Sequence, residues 1–314
     1  MGEGEEVKTR PEPQVEIQER GEIFFFYRPK VGKEEAHGAE DVQRLYIVMR
    51  PESGERPVEE KQESGSGKEG AKKGGNGSAK KGSEGGHGSE KVNIEKERLL
   101  RFIVMGRKSL PDPSKKRQPY WGFVELVTTN IDDVKTALKG EEYDTKTRGR
   151  RIKPPARALG EGVYRILRHN AGGNKRMHTH LIYKLELPPE DKTNKPQESL
   201  NVEREGSFVI QIKNPDQQST SRFTGLQSKR KAVFPAHLQG LFGKRQWHPA
   251  DPPDFLKYEG CEFVLISASD DIEGELGLEL KTEVEEANDE SCSDLVKTFG
   301  ATAVTDPLFK GTWV

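Results

Sequence analysis

The stretch DTKTRGRRIKPPARALGEGVYRILRH, residues 144–169, joins two segments of the chain that follow a similar plan. Its first half is a cluster of basic residues that runs into Pro154 and Pro155, and a Gly-Glu-Gly turn at 160–162 then begins a new apolar run. Prolines and glycines next to a charge cluster are typical of a connection between elements. We therefore interpret residues 146–159 as a basic hinge between two β-rich halves, 21–145 and 160–281.

The two halves show similar strand signals, although the third strands break the series of offsets, since Phe102 and Phe208 lie 106 residues apart. Each begins with Gly-Glu before an apolar run, at Gly21 and at Gly160, which lie 139 residues apart. The second strands begin 136 residues apart, at Leu45 and at Leu181, and both are ended by proline. Each half closes with an apolar strand and then an Asp-Asp pair, at 132–133 and at 270–271. Short apolar strands also resemble one another by chance, so internal duplication and coincidence both stay open.

The predicted fold class is α+β, dominated by a mostly antiparallel sheet with short helices. The clearest helix signal follows Asn130, a good N-cap, because Ile131, Val134 and Leu138 fall on one helical face. Residues 214–260 have no clear periodicity but contain several large aromatic residues. We expect that region to be an ordered, irregular covering of the core.

Three segments are too polar to form a core. Residues 1–20 are predicted to be a disordered tail, and residues 282–314 an acidic, mostly flexible tail with one or two helical turns at 294–299. Residues 52–96, rich in Gly, Ser, Lys and Glu, are predicted to be a disordered insertion between two strands of one sheet. The apolar end of the chain, 308–313, either docks on the body or recruits a partner.

The charge balance is close to neutral, with 51 basic and 52 acidic residues. The whole chain therefore has no general attraction to nucleic acid or to a membrane, and any such partner would need a local patch. The apolar runs are far shorter than the ~20 residues of a membrane helix. Two cysteines, Cys261 and Cys292, are too few for a disulfide framework or a cysteine-based zinc site. We expect an intracellular protein, cytoplasmic or nuclear, with no membrane partner and no cofactor.

The basic hinge is the first candidate binding site. Several cations close together can neutralise phosphates, so an anionic ligand or nucleic acid is the predicted partner, and a solvated loop is the alternative. The candidate residues are Arg148, Arg150, Arg151, Lys153 and Arg157. Further basic runs, at 115–117 and 229–231, are interpreted either as nuclear-import patches or as solvated turns.

Two histidine-containing features suggest chemistry. His178 and His180 stand two apart before an alternating strand, so both would face one side, as two metal ligands require. Surface polar residues are the alternative. Separately, prolines stiffen the loop that carries His248, Asp251 and Asp254, an arrangement suited to general acid–base catalysis, with or without a metal. The alternative is a loop that is attached to the core by the packing of its aromatic residues. The sequence has no GxSxG hydrolase motif, and no GxGxxG nucleotide-binding motif stands next to a strand–helix unit.

Several blocks resemble a plant family labelled "BTB/POZ domain protein TNFAIP"-like, which has similar bacterial proteins of unknown function. They include GEIFFFYRPKV, DVQRLYIVMRPESGE, YWGFVELVTT and PADPPDFLKYEGCEFVLISASDDIE, and the resemblance covers nearly all of residues 15–285. The label implies an adaptor of a cullin ubiquitin ligase, although a BTB fold is rich in regular helices and the helix signals here are few. From the residues we predict a non-enzymatic binding or adaptor module, with an enzyme that uses the His/Asp loop as the alternative.

Overall fold

The computed structural model describes most of the chain: residues 4–11, 13–52, 99–115, 118–147, 149–170, 177–188, 194–217, 225–282 and 293–313, and the backbone of 55–59 and 89–93. The β-strands are β1 (Glu5–Lys8), β2 (Gln14–Pro29), β3 (Val42–Pro51), β4 (Glu55–Glu59), β5 (Ser89–Asn93), β6 (Leu100–Met105), β7 (Tyr120–Thr128), β8 (Glu141–Thr145), β9 (Gly149–Lys153), β10 (Arg157–Asn170), β11 (His178–Leu187), β12 (Glu205–Lys213), β13 (Trp247–Pro249), β14 (Glu262–Ser269) and β15 (Leu278–Lys281). The α-helices are α1 (Ile131–Leu138), α2 (Lys195–Leu200), α3 (Ala236–Phe242), α4 (Ile272–Leu276), α5 (Asp294–Phe299) and α6 (Asp306–Lys310).

Eight strands form a closed antiparallel barrel. Around the barrel the order is β2, β3, β6, β7, β14, β12, β11 and β10, and β10 pairs with β2 to complete the circle. The short strand β13 adds to the end of β12. The predicted fold class, a sheet-dominated antiparallel α+β fold with short helices, is therefore confirmed, and the closure of the sheet is new information.

The two predicted halves share this barrel. Strands β2, β3, β6 and β7 are neighbours, as are β10, β11, β12 and β14, and the two sets join along two antiparallel seams, β2–β10 and β7–β14. One sheet and one interior thus replace the two sheets that we expected to meet at a hinge. Of the described residues in 146–159, Lys146 and Thr147 lie in the turn of the β8–β9 hairpin, 149–153 form its second strand, and 157–159 begin β10.

The registers are compatible with duplication, which stays a prediction. An offset of 139 residues carries Phe25 onto Tyr164, and an offset of 136 carries Ile47 onto Tyr183. Phe25 pairs with Ile47, and Tyr164 pairs with Tyr183. Across the seam, Gly21 lies opposite Tyr164, where a Cβ atom would come within 2.6 Å of the tyrosine ring. The glycine is needed there because the ring occupies the space of a side chain.

Side chains fill the barrel interior. Alternate residues of the eight strands point inward and form one apolar cluster, which includes Ile23, Phe25, Tyr27, Ile47, Met49, Ile103, Val124, Tyr164, Ile166, Tyr183, Phe208, Ile210 and Phe263. A buried ionic group joins three strands: Arg101 donates to both carboxylate oxygens of Glu19, at 2.6 and 2.7 Å. The hydroxyl group of Tyr164 donates to the same carboxylate at 2.8 Å. Burial of this pair is tolerated because its bidentate geometry compensates both charges.

Helices cover apolar patches on the outside of the barrel. Phe24, Phe26, Val48 and Phe102 face outward and pack with buried residues of α1, α5 and α6. The predicted helix at 131–138 is confirmed, with Asn130 as its N-cap. A second outer cluster joins Leu167 and Ile182 to α4 and β15. Within the described residues, no helix is long and apolar enough to cross a membrane.

Both predicted tails are ordered where the structure describes them, so the predictions of a disordered and of a mostly flexible tail are wrong there, while the helical turns predicted at 294–299 are confirmed by α5. In the first twenty residues, β1 pairs with β15, and β2 begins at Gln14. At the other end, α5 and α6 pack on the barrel, and Glu161 accepts hydrogen bonds from the hydroxyl group of Ser293 and from the backbone amides of Asp294 and Leu295. The ring of Trp313 lies 5.5 Å from that of Tyr27. The apolar end of the chain therefore docks on the body.

The prediction for residues 52–96 lies mostly outside the described residues. As predicted, the insertion connects two neighbouring strands of one sheet, β3 and β6. Near its two ends, β4 and β5 pair as an antiparallel ribbon.

Candidate functional site

The basic hinge is a hairpin with an acidic strand. Strand β9 carries Arg150, Arg151 and Lys153, and the strand beside it, β8, reads EEYDT. We call β8, β9 and their turn, residues 141–153, the basic hairpin. Arg150 forms an ion pair with Glu142, and this hydrogen bond holds the pKa of the guanidinium above its usual range. The β8 carboxylates therefore offset the β9 cations, which weakens their attraction for an outside anion.

The expected anion site is not assembled at the hairpin. Lys153 Nζ lies 3.7 Å from a carboxylate oxygen of Glu141, and Asp144 is the cross-strand partner of Arg150. Arg157 belongs to β10, is buried, and donates to the carbonyl of Glu34 at 2.7 Å. Arg148 lies outside the described residues. These cations are close together in the sequence, but each described one contacts a different partner.

The three side chains of the expected acid–base loop have separate partners. His248 Nδ1 lies 2.7 Å from the carbonyl oxygen of Pro249, and its ring packs beside Phe255. Asp251 accepts from Arg168 Nε at 2.7 Å and from Nη2 at 2.9 Å, which raises the pKa of Arg168. Asp254 pairs with the buried Lys257. The Asp251 contact connects the loop to β10, whereas the contacts of His248 with Pro249 and of Asp254 with Lys257 lie within the loop. The buried ring of Phe255 belongs to the cluster of the barrel interior, as the structural alternative predicted.

The histidine pair belongs to a buried hydrogen-bonded chain. His180 Nε2 lies 3.2 Å from His169 Nδ1, and His180 Nδ1 lies 3.0 Å from the hydroxyl oxygen of Ser207. His178 is half-buried and is the cross-strand partner of His169. Burial, assisted by the two neighbouring histidines, lowers the pKa of His180 to about 3. This chain ties β10, β11 and β12 together.

The expected metal site has no support in the geometry. In the part of the chain that the structure describes, no group of three or more His, Cys, Asp or Glu residues could hold a metal ion. His180 uses both ring nitrogens in the contacts to His169 and Ser207. A ligand role for His180 would therefore require these contacts to be broken.

The connection between β12 and β14 carries a surface that the sequence reasoning missed. Its buried residues Phe234, Leu238, Phe242 and Phe255 belong to the same cluster as the barrel interior. We call this connection, residues 214–217 and 225–261, the plug. The expectation of an ordered, irregular covering at 214–260 is therefore confirmed for the described residues.

The middle of the plug's sequence is one-sided in charge, whereas Asp216, Asp251, Asp254 and Glu259 lie on either side of it. Residues 217–250 contain six Lys or Arg residues and no Asp or Glu, in a chain whose net charge is −1. Four of the cations are exposed and the fifth described one, Lys231, is partly exposed; the five are Lys229, Arg230, Lys231, Lys244 and Arg245. The sequence contains this signal, although its cations are less dense than those at 148–157.

Tertiary contacts bring the two basic runs of the plug to the same border. Lys231 Nζ donates to the carbonyl of Pro215 at 3.2 Å, and the side chain of Gln217 donates to the carbonyl of Lys244 at 2.9 Å. The runs 229–231 and 244–245 therefore both flank residues 214–217. We call these five cations and the exposed residues between them the basic face. Arg230 also pairs with Glu125 of β7.

The resemblance to the BTB/POZ-labelled family, and the adaptor role that it implies, stay predictions. No family model, no curated protein and no solved structure matches this chain.

Proposed function

We propose that this protein is a non-enzymatic binding module that holds an anionic partner on the basic face of the plug. The observation that carries the proposal is the charge of residues 217–250, six cations without an acidic residue, on a chain whose net charge is −1. A local excess of one charge attracts partners of the opposite sign even when the net charge does not.

The plug is also a suitable support for binding. Phe234 packs edge-on against Phe255 and Tyr258, with ring centroids 5.1 and 5.5 Å apart. These contacts attach the basic face to the barrel interior, so its cations stand on a rigid base. Rigid support lowers the entropy that is lost when a partner binds.

The separate engagement of His248, Asp251 and Asp254 supports the non-enzymatic part of the proposal. Acid–base catalysis needs such groups within hydrogen-bond reach of one substrate position. Here the contacts of Asp251 and Asp254 are to Arg168 and Lys257. The Asp251 contact attaches the loop to β10, and the Asp254 contact lies within the loop.

The test compares two double variants of the full chain. Lys229→Ala with Lys244→Ala removes two cations from the basic face, and Arg150→Ala with Lys153→Ala removes two from the basic hairpin. We expect the plug variant to bind heparin about tenfold more weakly at ~0.1 M salt, because exposed cations act on a polyanion through screened charge. The hairpin variant should change the affinity by less than about twofold, because its cations are offset by β8.

Equal losses in the two variants, or no binding of heparin by the unmodified protein, would overturn the proposal. Circular dichroism and thermal unfolding of both variants serve as the control for folding. The altered lysine side chains of the plug variant are exposed, so its unfolding temperature should stay close to that of the parent.

A further inference from the structure

The cations of the basic face share their surface with aliphatic side chains. Val233 and Leu241 are each 39% exposed, and they are two of the five large apolar side chains that are exposed in the described part of the chain. Val233 follows Lys231 by two residues. The carbonyl of Leu241 accepts a hydrogen bond from Arg245 at 2.8 Å. Each basic run therefore has an exposed aliphatic residue beside it.

Most aromatic residues of the plug are buried in the core. Phe234, Phe242, Phe255 and Tyr258 are buried and pack on one another. Proteins that bind single-stranded nucleic acid need exposed aromatic rings on which bases stack. These four rings belong to the core and Trp247 is half-buried, so the large apolar side chains that the plug exposes, Val233 and Leu241, are aliphatic.

A surface of cations and aliphatic groups matches one anionic partner better than the others. The acyl boundary of a bilayer accepts aliphatic side chains, while acidic headgroups attract nearby Lys and Arg residues. A nucleic-acid backbone would satisfy the cations but would leave Val233 and Leu241 against phosphates. Peripheral contact needs no membrane-spanning helix, and it uses the kind of local patch that a nearly neutral chain requires.

We propose that the partner of the basic face is a bilayer surface that contains acidic lipids. The five cations lie over the headgroups, and Val233 and Leu241 enter the acyl boundary. This inference rests on the proposed function, because it specifies the anionic partner of the same surface. It makes the protein a peripheral membrane-binding module rather than a nucleic-acid-binding one.

The experiment measures cosedimentation of the full chain with vesicles and, in parallel, its binding to a labelled oligonucleotide. Vesicles of phosphatidylcholine alone are compared with vesicles that contain about 30% phosphatidylserine, a composition that attracts basic segments. We expect binding only to the acidic vesicles. Leu241→Gln should weaken that binding about fivefold, because an apolar contact is lost, and should leave oligonucleotide binding unchanged.

A matched control is Ile152→Gln in the basic hairpin, which removes an aliphatic side chain of similar exposure, 41%. It should leave vesicle binding unchanged. Vesicle binding that is lost equally in Leu241→Gln and Ile152→Gln, or that is unaffected by Leu241→Gln, would overturn the lipid proposal. Binding to heparin or oligonucleotide without binding to acidic vesicles would overturn it too, but would leave the proposed function standing. No binding to any of these probes would overturn both.

Discussion

The basic hairpin and the plug contain the same types of cation, yet their surroundings differ. In the hairpin, β8 places Glu141, Glu142 and Asp144 beside the cations of β9. In the plug, the stretch that supplies the cations has no acidic residue of its own. The hairpin also forms a separate two-stranded sheet, whereas the plug extends the barrel interior.

This difference teaches that a run of cations is informative only together with its cross-strand neighbours. The hairpin has the denser run of cations, but the strand that carries it, β9, is hydrogen-bonded to the acidic strand β8. Exposed ion pairs of this kind contribute little to stability, yet they reduce the field that an outside anion meets. The plug has the sparser run, and its carboxylates, including exposed Asp216 beside the basic face, lie outside the stretch 217–250 that carries most of its cations. Four predictions follow the comparison, from the largest expected effect to the smallest.

The first prediction concerns how the two regions are attached. Phe255→Ala removes a fully buried ring from the plug and should lower the free energy of unfolding by about 3–5 kcal/mol. Tyr143→Ala in the hairpin removes a ring that is 36% exposed and should change it by less than about 0.5 kcal/mol. Denaturant unfolding measures both. Similar values for the two variants would mean that the plug is no better anchored than the hairpin.

The second prediction concerns the base of the hairpin. Buried Arg28 donates to the carbonyl of Ala137 at 2.6 Å, to that of Lys139 at 3.2 Å, and to that of Pro154. Arg28→Met leaves these carbonyls without their donor and should cost about 2–4 kcal/mol of stability. Hydrogen exchange should accelerate in α1 and in the hairpin more than in the plug. Uniform acceleration would show that Arg28 supports the barrel as a whole.

The third prediction concerns acid, which acts on the buried histidine chain of the barrel wall. Burial lowers the pKa of His180 from 6.5 to about 3, so the folded protein keeps this ring neutral while the unfolded chain takes up a proton. Above pH 6.5 this group does not lower the free energy of unfolding. Below pH 6.5 the unfolded chain gains the proton, so the free energy of unfolding falls by about 1.4 kcal/mol per pH unit, or by about 2 kcal/mol at pH 5.

The measurement for this third prediction is denaturant unfolding at several pH values, followed by tryptophan fluorescence. His180→Gln should lower stability at pH 7 and should flatten the pH dependence between pH 6.5 and 5. Trp247 is a suitable reporter because it lies in β13, which pairs with β12, and Ser207 of β12 contacts His180. An unchanged slope in the variant would assign the acid sensitivity to other groups.

The smallest effect is expected from neutralising the acidic strand of the hairpin. Glu142→Gln with Asp144→Asn removes two carboxylates but keeps the shape of the side chains. Affinity for heparin should rise about threefold, because the β9 cations are no longer offset. The unfolding temperature should shift by less than about 2 °C, since exposed ion pairs contribute little. Unchanged heparin affinity would show that β8 does not screen β9.

Much of the secondary structure could be predicted locally. Apolar runs at Ile23–Tyr27 and at Leu181–Leu187 lie in β2 and β11, and Asn130 caps the predicted helix. Apart from the helical turns at 294–299, the order of the chain ends was missed because it depends on distant partners. Strand β1 needs β15, and α5 needs the carboxylate of Glu161, 132 residues away from Ser293. No local pattern contains such contacts.

The candidate sites show the same limit. The residue types at Arg150, His180 and Asp251 were identified, but their roles depend on Glu142, His169 and Arg168. Of these partners, Glu142 is close enough in sequence to have indicated the acidic strand. The charge of the plug could have been counted directly from residues 217–250.

The sequence by itself determined which segments are extended, where α1 begins, and which stretches carry an excess of charge, because these properties depend on neighbouring residues along the chain. Only the tertiary structure decided that β10 closes on β2, that β8 offsets the cations of β9, and that the two basic runs of the plug border residues 214–217. Closure and charge compensation are pairings between segments, and hydrogen bonds and packing select such partners from many that local patterns allow.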